Sequence, residues 1–283
     1  GKEEEIDYEE FANSIDDLSI DKNIKNKGDT SLQQIICVIL DTTRSMENLP
    51  NGKRASRKQP SRQKLSVIFL NTLMSRIHFF KVPTARRLIT FGREINTKVE
   101  ISVAEKNFEE ELGKVTSGGS IEVFDAIGEA VKEIKKFNPY KKVKGEKQFK
   151  YPNARGRIIL ISDAENNLKD YDHFCKITQE MIDNEIVFDL IQISTVNNLS
   201  YSALTSAKLT GGLLFQPSNE REGIDIFETE AFLDIKARAA CSPFEGEINE
   251  KEFMKQQKAL GRNPFTKEIE NRYVKQAKLA NTL

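Results

Sequence analysis

The chain of 283 residues carries 43 basic and 43 acidic side chains, so its net charge is zero, which excludes a whole-chain electrostatic footprint for nucleic acid and leaves only local patches. With 38% hydrophobic and 30% charged residues, it has material for one sizeable core under a heavily charged surface. No apolar run reaches membrane-spanning length, and the acidic start GKEEEIDYEE is not a signal peptide. Three scattered cysteines (Cys37, Cys175, Cys241) form neither a disulfide framework nor a zinc cluster, so an intracellular, cytoplasmic or nuclear, setting is expected. The leading Gly1 and a last segment that still reads as helix suggest a fragment or a processed product.

Residues 1–31 read as an acidic, then polar, N-terminal arm. Its scattered Ile6, Tyr8, Phe11, Ile15 and Leu18 suit either a partly ordered tail or an amphipathic segment that docks on a partner. The stretch Ile35–Met46, IICVILDTTRSM, organises the rest of the chain. An apolar, β-branched run without alternation suits a strand buried on both faces. It ends in Asp41, Thr43 and Ser45, oxygen-bearing side chains at i, i+2 and i+4 that a turn can gather around one point.

From Lys53 to Lys64 the chain holds six basic residues (Lys53, Arg54, Arg57, Lys58, Arg62, Lys64) and no acidic one, with Gly, Pro and Ser nearby to break any helix. It comes directly after the strand and is expected at the same sheet edge as Asp41, as a solvated insertion or as a binding loop for acidic protein or nucleic acid. It contains no aromatic residue, which argues against base stacking there. The pattern then predicts a helix over Ser61–Phe79, a strand over Arg86–Phe91, an edge strand joined to it over Thr97–Ser102, and helices over Phe108–Val115 and Glu122–Phe137. The intervening Ser117-Gly-Gly-Ser120 is a turn.

Residues 138–156 read as a second basic loop, at the amino edge of the sheet. A second buried strand, Arg157–Ser162, ends in Asp163. Helices over Tyr171–Asn184, Leu199–Leu209 and Glu222–Ala240 alternate with strands over Ile186–Ser194 and Gly211–Phe215. The fold class expected is α/β: a doubly wound, mainly parallel central sheet with one antiparallel edge strand, covered by helices on both faces. Residues 32–240 form this domain. Residues 241–283 form a helical C-terminal extension, with helices over Glu247–Leu260 and Pro264–Leu279, the second opened by Asn263-Pro264. Two strands ending in Asp place carboxylates at the carboxyl edge, where open α/β sheets bind ligands.

The order of these phrases (ILDTTRSM, LITFG, SGGSIEVFDAI, RIILISDAENN and TGGLLFQPS before the last helix of the domain) resembles the von Willebrand factor A domain, over about Ile35–Ala240. The last phrase, with FETEAFLDIKARA after it, is similar to intracellular members attached to ubiquitin-pathway or other regulatory modules. The resemblance implies a Rossmann-like fold and a metal-ion-dependent adhesion site, holding Mg²⁺ or Mn²⁺ through Asp41, Thr43, Ser45, Ser120 and Asp163 and taking a carboxylate from a partner protein. Hard divalent cations do take such oxygen ligands. Three positions depart from the family pattern: Thr43 replaces the commoner Ser, Ile121 stands where the family places its Thr, and Ala164 replaces the usual Gly.

The function expected is a non-enzymatic protein–protein interaction module, using the metal edge and, for partner binding, Lys53, Arg54, Arg57, Lys58 and Arg62. One alternative is a metal-free scaffold working through the basic loops and terminal helices, in a ubiquitin-related or other regulatory assembly. A further alternative arises because Asp-Thr-Thr-Arg-Ser also resembles the D-x-T-x-T of haloacid-dehalogenase-type phosphohydrolases, with Asp41 as nucleophile, Asp163 on magnesium and Thr90 holding phosphate. His78 and His173, the two histidines, fall within helical patterns and read as surface or interface residues; no nucleophile–His–acid set can be assembled.

Overall fold

Residues 34–41 are buried at all eight positions, and that fact fixes the architecture, because a strand covered on both faces must lie inside a sheet. The computed structural model describes residues 32–56, 59–102, 106–119, 123–163, 170–194, 201–232, 243–261 and 264–265. The expectations for the arm 1–31 and for Ser120, Arg57 and Lys58 fall outside the described residues, as does nearly all of the helix expected over 264–279.

In chain order the first half comprises β1 (Gln34–Asp41), a 3₁₀ turn (Arg44–Glu47), α1 (Arg62–Phe79), β2 (Thr84–Phe91), β3 (Ile95–Ser102), α2 (Lys106–Gly113) and α3 (Val123–Phe137). The second half comprises β4 (Tyr140–Val143), β5 (Glu146–Phe149), β6 (Arg155–Ser162), α4 (Tyr171–Asp183), β7 (Ile186–Gln192), α5 (Tyr201–Leu209), β8 (Leu214–Phe215), α6 (Glu220–Phe232) and α7 (Glu250–Ala259). Six strands form one sheet in the order β3-β2-β1-β6-β7-β8. β1 pairs in parallel with both β2 and β6, whereas β3 runs antiparallel on the edge, as its half-exposed alternation predicts.

Alternate side chains of the strands feed two cores. Ile35, Cys37, Ile39, Ile158, Leu160 and Phe188 pack under α3, α4 and α5, while Ile36, Val38, Leu40, Ile159 and Ile161 pack under α1, α2 and α6. Each such fully buried aliphatic side chain contributes about 1.5–3 kcal/mol relative to exposure. α1 begins where Ser61 caps it, its hydroxyl accepting from the Lys64 N–H at 3.3 Å. α7 packs onto the α4–α5 side and joins the same core: Phe253 is fully buried and its ring lies 6.3 Å from that of Phe174.

One element differs from expectation. Residues 140–149, read as part of a loop, form a two-stranded hairpin, β4–β5, pairing Tyr140 with Phe149 and turning at Lys144-Gly145 with both residues at positive φ. Run-of-charge reasoning hid it, because the alternation Tyr140, Lys142 against Phe149, Lys147 is diluted by lysines that point into solvent.

Candidate functional site at the carboxyl edge

β1 lies between β2, which it reaches through α1, and β6, so the chain leaves β1 and β6 toward opposite faces of the sheet. The crevice at the carboxyl ends of these two strands is the topological switch point of the fold. Asp41, the last residue of β1, and Asp163, directly after β6, stand on its two sides; each is 3% exposed.

Asp41 is held by its own loop and by the neighbouring strand. Its Oδ1 accepts from the Thr43 N–H at 2.8 Å, and its Oδ2 accepts from the Ser162 hydroxyl at 2.5 Å. Thr43 Oγ1 and Ser45 Oγ lie 3.0 Å apart, so the i, i+2, i+4 spacing does gather its oxygens. Met46, fully buried, anchors the 3₁₀ turn that brings Ser45 round. Burial, and then the charge of Asp163, push the Asp41 carboxyl up to about 6, against the lowering effect of the Ser162 and Thr43 hydrogen bonds. Asp41 has no ion-pair partner among the described residues.

The Gly118-Gly119 turn runs alongside this loop. The Gly118 N–H donates to the Thr42 carbonyl at 2.6 Å, and the Arg44 N–H to the Gly119 carbonyl at 3.4 Å. Gly119 has φ +85°, and a Cβ there would stand 2.4 Å from the Arg93 backbone; at Gly92 it would stand 2.5 Å from the Gly118 carbonyl. The glycines are therefore required by close backbone approach, and the turn delivers the chain at residue 119 beside the DTTRS loop.

Asp163 is occupied by a residue that sequence reasoning placed elsewhere. Arg62, expected among the partner-contacting cations, is 1% exposed and donates from Nη1 to Asp163 Oδ2 at 2.7 Å. The same guanidinium donates to the Leu49 carbonyl at 3.1 Å, the Ser45 carbonyl at 3.3 Å and Ser194 Oγ at 3.2 Å. Arg62 is thus withdrawn from the candidate partner-binding set, because the insertion folds back and α1 starts under it. Lys53 and Arg54 are both exposed on the loop that Asn48 and Arg54 close by a β-bridge.

Sequence reasoning missed Ser162, Ser194 and Gln192 as well. Gln192, at the end of β7 in register with Ser162, is fully buried, and neither of its side-chain polar atoms is hydrogen-bonded among the described residues. A polar residue closing an otherwise apolar strand was the available signal. No comparable signal marks Arg62 out from the other five cations of its run.

His173 Nε2 lies 3.6 Å from Asp125 Oδ1 and makes no hydrogen bond, while His78 is exposed near the far end of α1. Among the described residues no group of three or more His, Cys, Asp or Glu is placed to hold a metal ion, and no helix is long and apolar enough to cross a membrane.

No family model matches the sequence, and no curated protein matches it. Solved structures do match the fold. The VWA domain of SpRpn10 superposes with a TM-score of 0.51 at 14% identity, covering 69% of this chain and 95% of that one. BatB from Bacteroides thetaiotaomicron gives 0.50 at 14% identity, covering 70% and 96%. The manganese-loaded TRAP protein of Plasmodium vivax gives 0.50 at 12% identity, covering 73% and 75%. The chain has the von Willebrand factor A fold.

The donor set can be set against the divalent ion that such a site implies. Thr43 Oγ1, Ser45 Oγ and the Asp41 carboxylate are suitable hard oxygens. Asp163 is not, because a buried guanidinium already neutralises it, and a divalent ion drawing on that carboxylate would stand beside an unscreened like charge. As a set, these residues do not fit the ion.

Proposed function

We propose that this protein is a non-enzymatic interaction module, intracellular in setting, that docks a protein partner through an acidic segment on the carboxyl edge of the sheet. The observation that carries this reading is the rim of that edge. Arg44, Lys53, Arg54 and Arg93 are exposed on the loops around Asp41 and outnumber the exposed acids there, Glu47 and Glu94, whereas the carboxylates Asp41 and Asp163 lie beneath them, buried. A partner therefore meets cations first, which suits an acidic segment and steers its approach. The free, buried thiols of Cys37 and Cys175 agree with a reducing compartment.

Chemistry is a poor rival. A nucleophilic Asp41 would need to be reached by a substrate, yet the group is 3% exposed, packed between Thr43 and Ser162, which both hydrogen-bond it. Thr90, which a phosphohydrolase would turn toward phosphate, is 4% exposed within β2. Turnover of a generic phosphate ester with Mg²⁺ would reverse this conclusion.

A second reading keeps the metal: Mg²⁺ or Mn²⁺ at Asp41, Thr43, Ser45, Ser120 and Asp163, bridging to a partner carboxylate, with Asp163 released from Arg62. The hydroxyl oxygens of Thr43 and Ser45, 3.0 Å apart beside Asp41, favour it. Partner capture by the whole chain, with and without EDTA, separates the two. The proposed module loses its partner when Arg44 and Arg93 are both changed to Glu and keeps it in EDTA; the metal reading requires loss in EDTA.

A further inference from the structure

We propose that Arg62 is the resident cation of the carboxyl edge: a tethered guanidinium that holds the edge together as a bound divalent ion otherwise would, so that the edge is assembled without metal. The inference concerns how the edge is built and is independent of which partner docks there.

Among the described residues, four oxygens from three stretches of the chain converge on this one side chain. Ser45 O belongs to the 3₁₀ turn, Leu49 O to the insertion, Asp163 Oδ2 to the end of β6 and Ser194 Oγ to the end of β7. Collecting oxygens from separate segments at a switch point is the task of a multidentate cation, and a planar guanidinium with five donors can perform it. The geometry is fixed from below. Arg62 is the first residue of α1, its N–H donates to the Asn48 carbonyl at 2.8 Å, and its carbonyl accepts from the Ser66 hydroxyl at 2.8 Å. The insertion between Asp41 and α1 is therefore more than a solvated loop, because it reaches out and returns an arginine to the edge it left.

Charge balance points the same way. With Arg62 paired to Asp163, Asp41 is a buried carboxylate of the edge without a counter-ion among the described residues. A divalent ion would overcompensate it while facing the guanidinium. Unlike a bound ion, Arg62 does not exchange with solvent, so chelators have nothing to remove.

The test uses the whole chain and no partner. Mn²⁺ is titrated against the protein by electron paramagnetic resonance, and thermal melts are compared in EDTA, Mg²⁺ and Mn²⁺. The expected result for the unaltered protein is no saturable Mn²⁺ site and a Tm that does not depend on the metal. Arg62→Gln should lower Tm by roughly 10 °C, because Asp163 is left buried without its cation, and Mn²⁺ should then restore part of the loss. Saturable Mn²⁺ binding by the unaltered protein that Asp163→Asn abolishes would overturn the proposal, as would a Tm that falls in EDTA. Should Arg62→Gln not fold, the titration of the unaltered protein decides alone. An Arg62→Gln protein as stable as the original would also overturn it.

Discussion

Among the described residues, two buried arginine–aspartate pairs lie on the same side of the sheet, and they do different work. Arg157 on β6 donates from Nε to Asp189 Oδ2 on β7 at 2.7 Å, with 2% and 0% exposure. Asp189 Oδ1 also accepts from the Leu213 N–H at 2.8 Å, tying in the approach to β8. Arg62 and Asp163 match this pair in distance and burial, at 2.7 Å and with 1% and 3% exposure. Yet Arg157 and Asp189 sit on neighbouring strands whose backbone pairing already sets their approach. Arg62 instead reaches Asp163 from a helix start, across an insertion, at the switch point. A buried ion pair is therefore not a site by its chemistry; its place in the topology decides whether it is a strut or a staple on a docking edge.

The largest expected effect breaks the strut. Asp189→Ala removes the buried guanidinium's carboxylate and the acceptor of the Leu213 N–H, and should cost about 3–5 kcal/mol in chemical denaturation, with the same loss in EDTA and in Mn²⁺.

The next effect has the opposite sign and sharpens the edge. The Asp41 carboxyl is raised from 3.8 to about 6, so its protonated form is favoured in the folded protein. Its contribution to stability is then fully present below about pH 4 and is lost as pH rises through about 6. Asp41→Asn removes that loss. The variant should be more stable than the parent by up to about 3 kcal/mol at about pH 7.5 and equal to it below about pH 4, as read from denaturation at both pH values.

Gly119→Ala should cost roughly 1–2 kcal/mol, from positive φ and the clash with the Arg93 backbone, and should weaken partner capture because it displaces the turn beside Thr42–Arg44. Smallest of all, Lys141→Glu with Lys142→Glu on the β4–β5 hairpin should change stability by less than about 0.5 kcal/mol. It should leave partner capture intact, since the hairpin lies at the amino edge, and a loss of capture would move the docking face there.

Much of this was legible in the chain. The unbroken apolar runs before Asp41 and Asp163 required strands covered on both faces, and the alternation of Thr97–Ser102 required an edge. The serine at 61 and the apolar spacing after it placed α1 to within a residue. The spacing of Asp41, Thr43 and Ser45 showed three oxygens that one turn can gather, and the turn does so. Local rules set all of these: backbone periodicity, capping and short-range turn geometry act within a few residues of sequence.

The tertiary structure decided what those oxygens face. Arg62 stands among six cations with nothing local to distinguish it, and its role depends on Asp163, 101 residues away, and Ser194, 132 residues away. Ser162 and Gln192 likewise acquire their meaning from strand register, which puts one beside Asp41 and leaves the other buried with no hydrogen-bond partner among the described residues. Charge compensation in a buried site depends on distance in space, and a sequence lists charges without those distances.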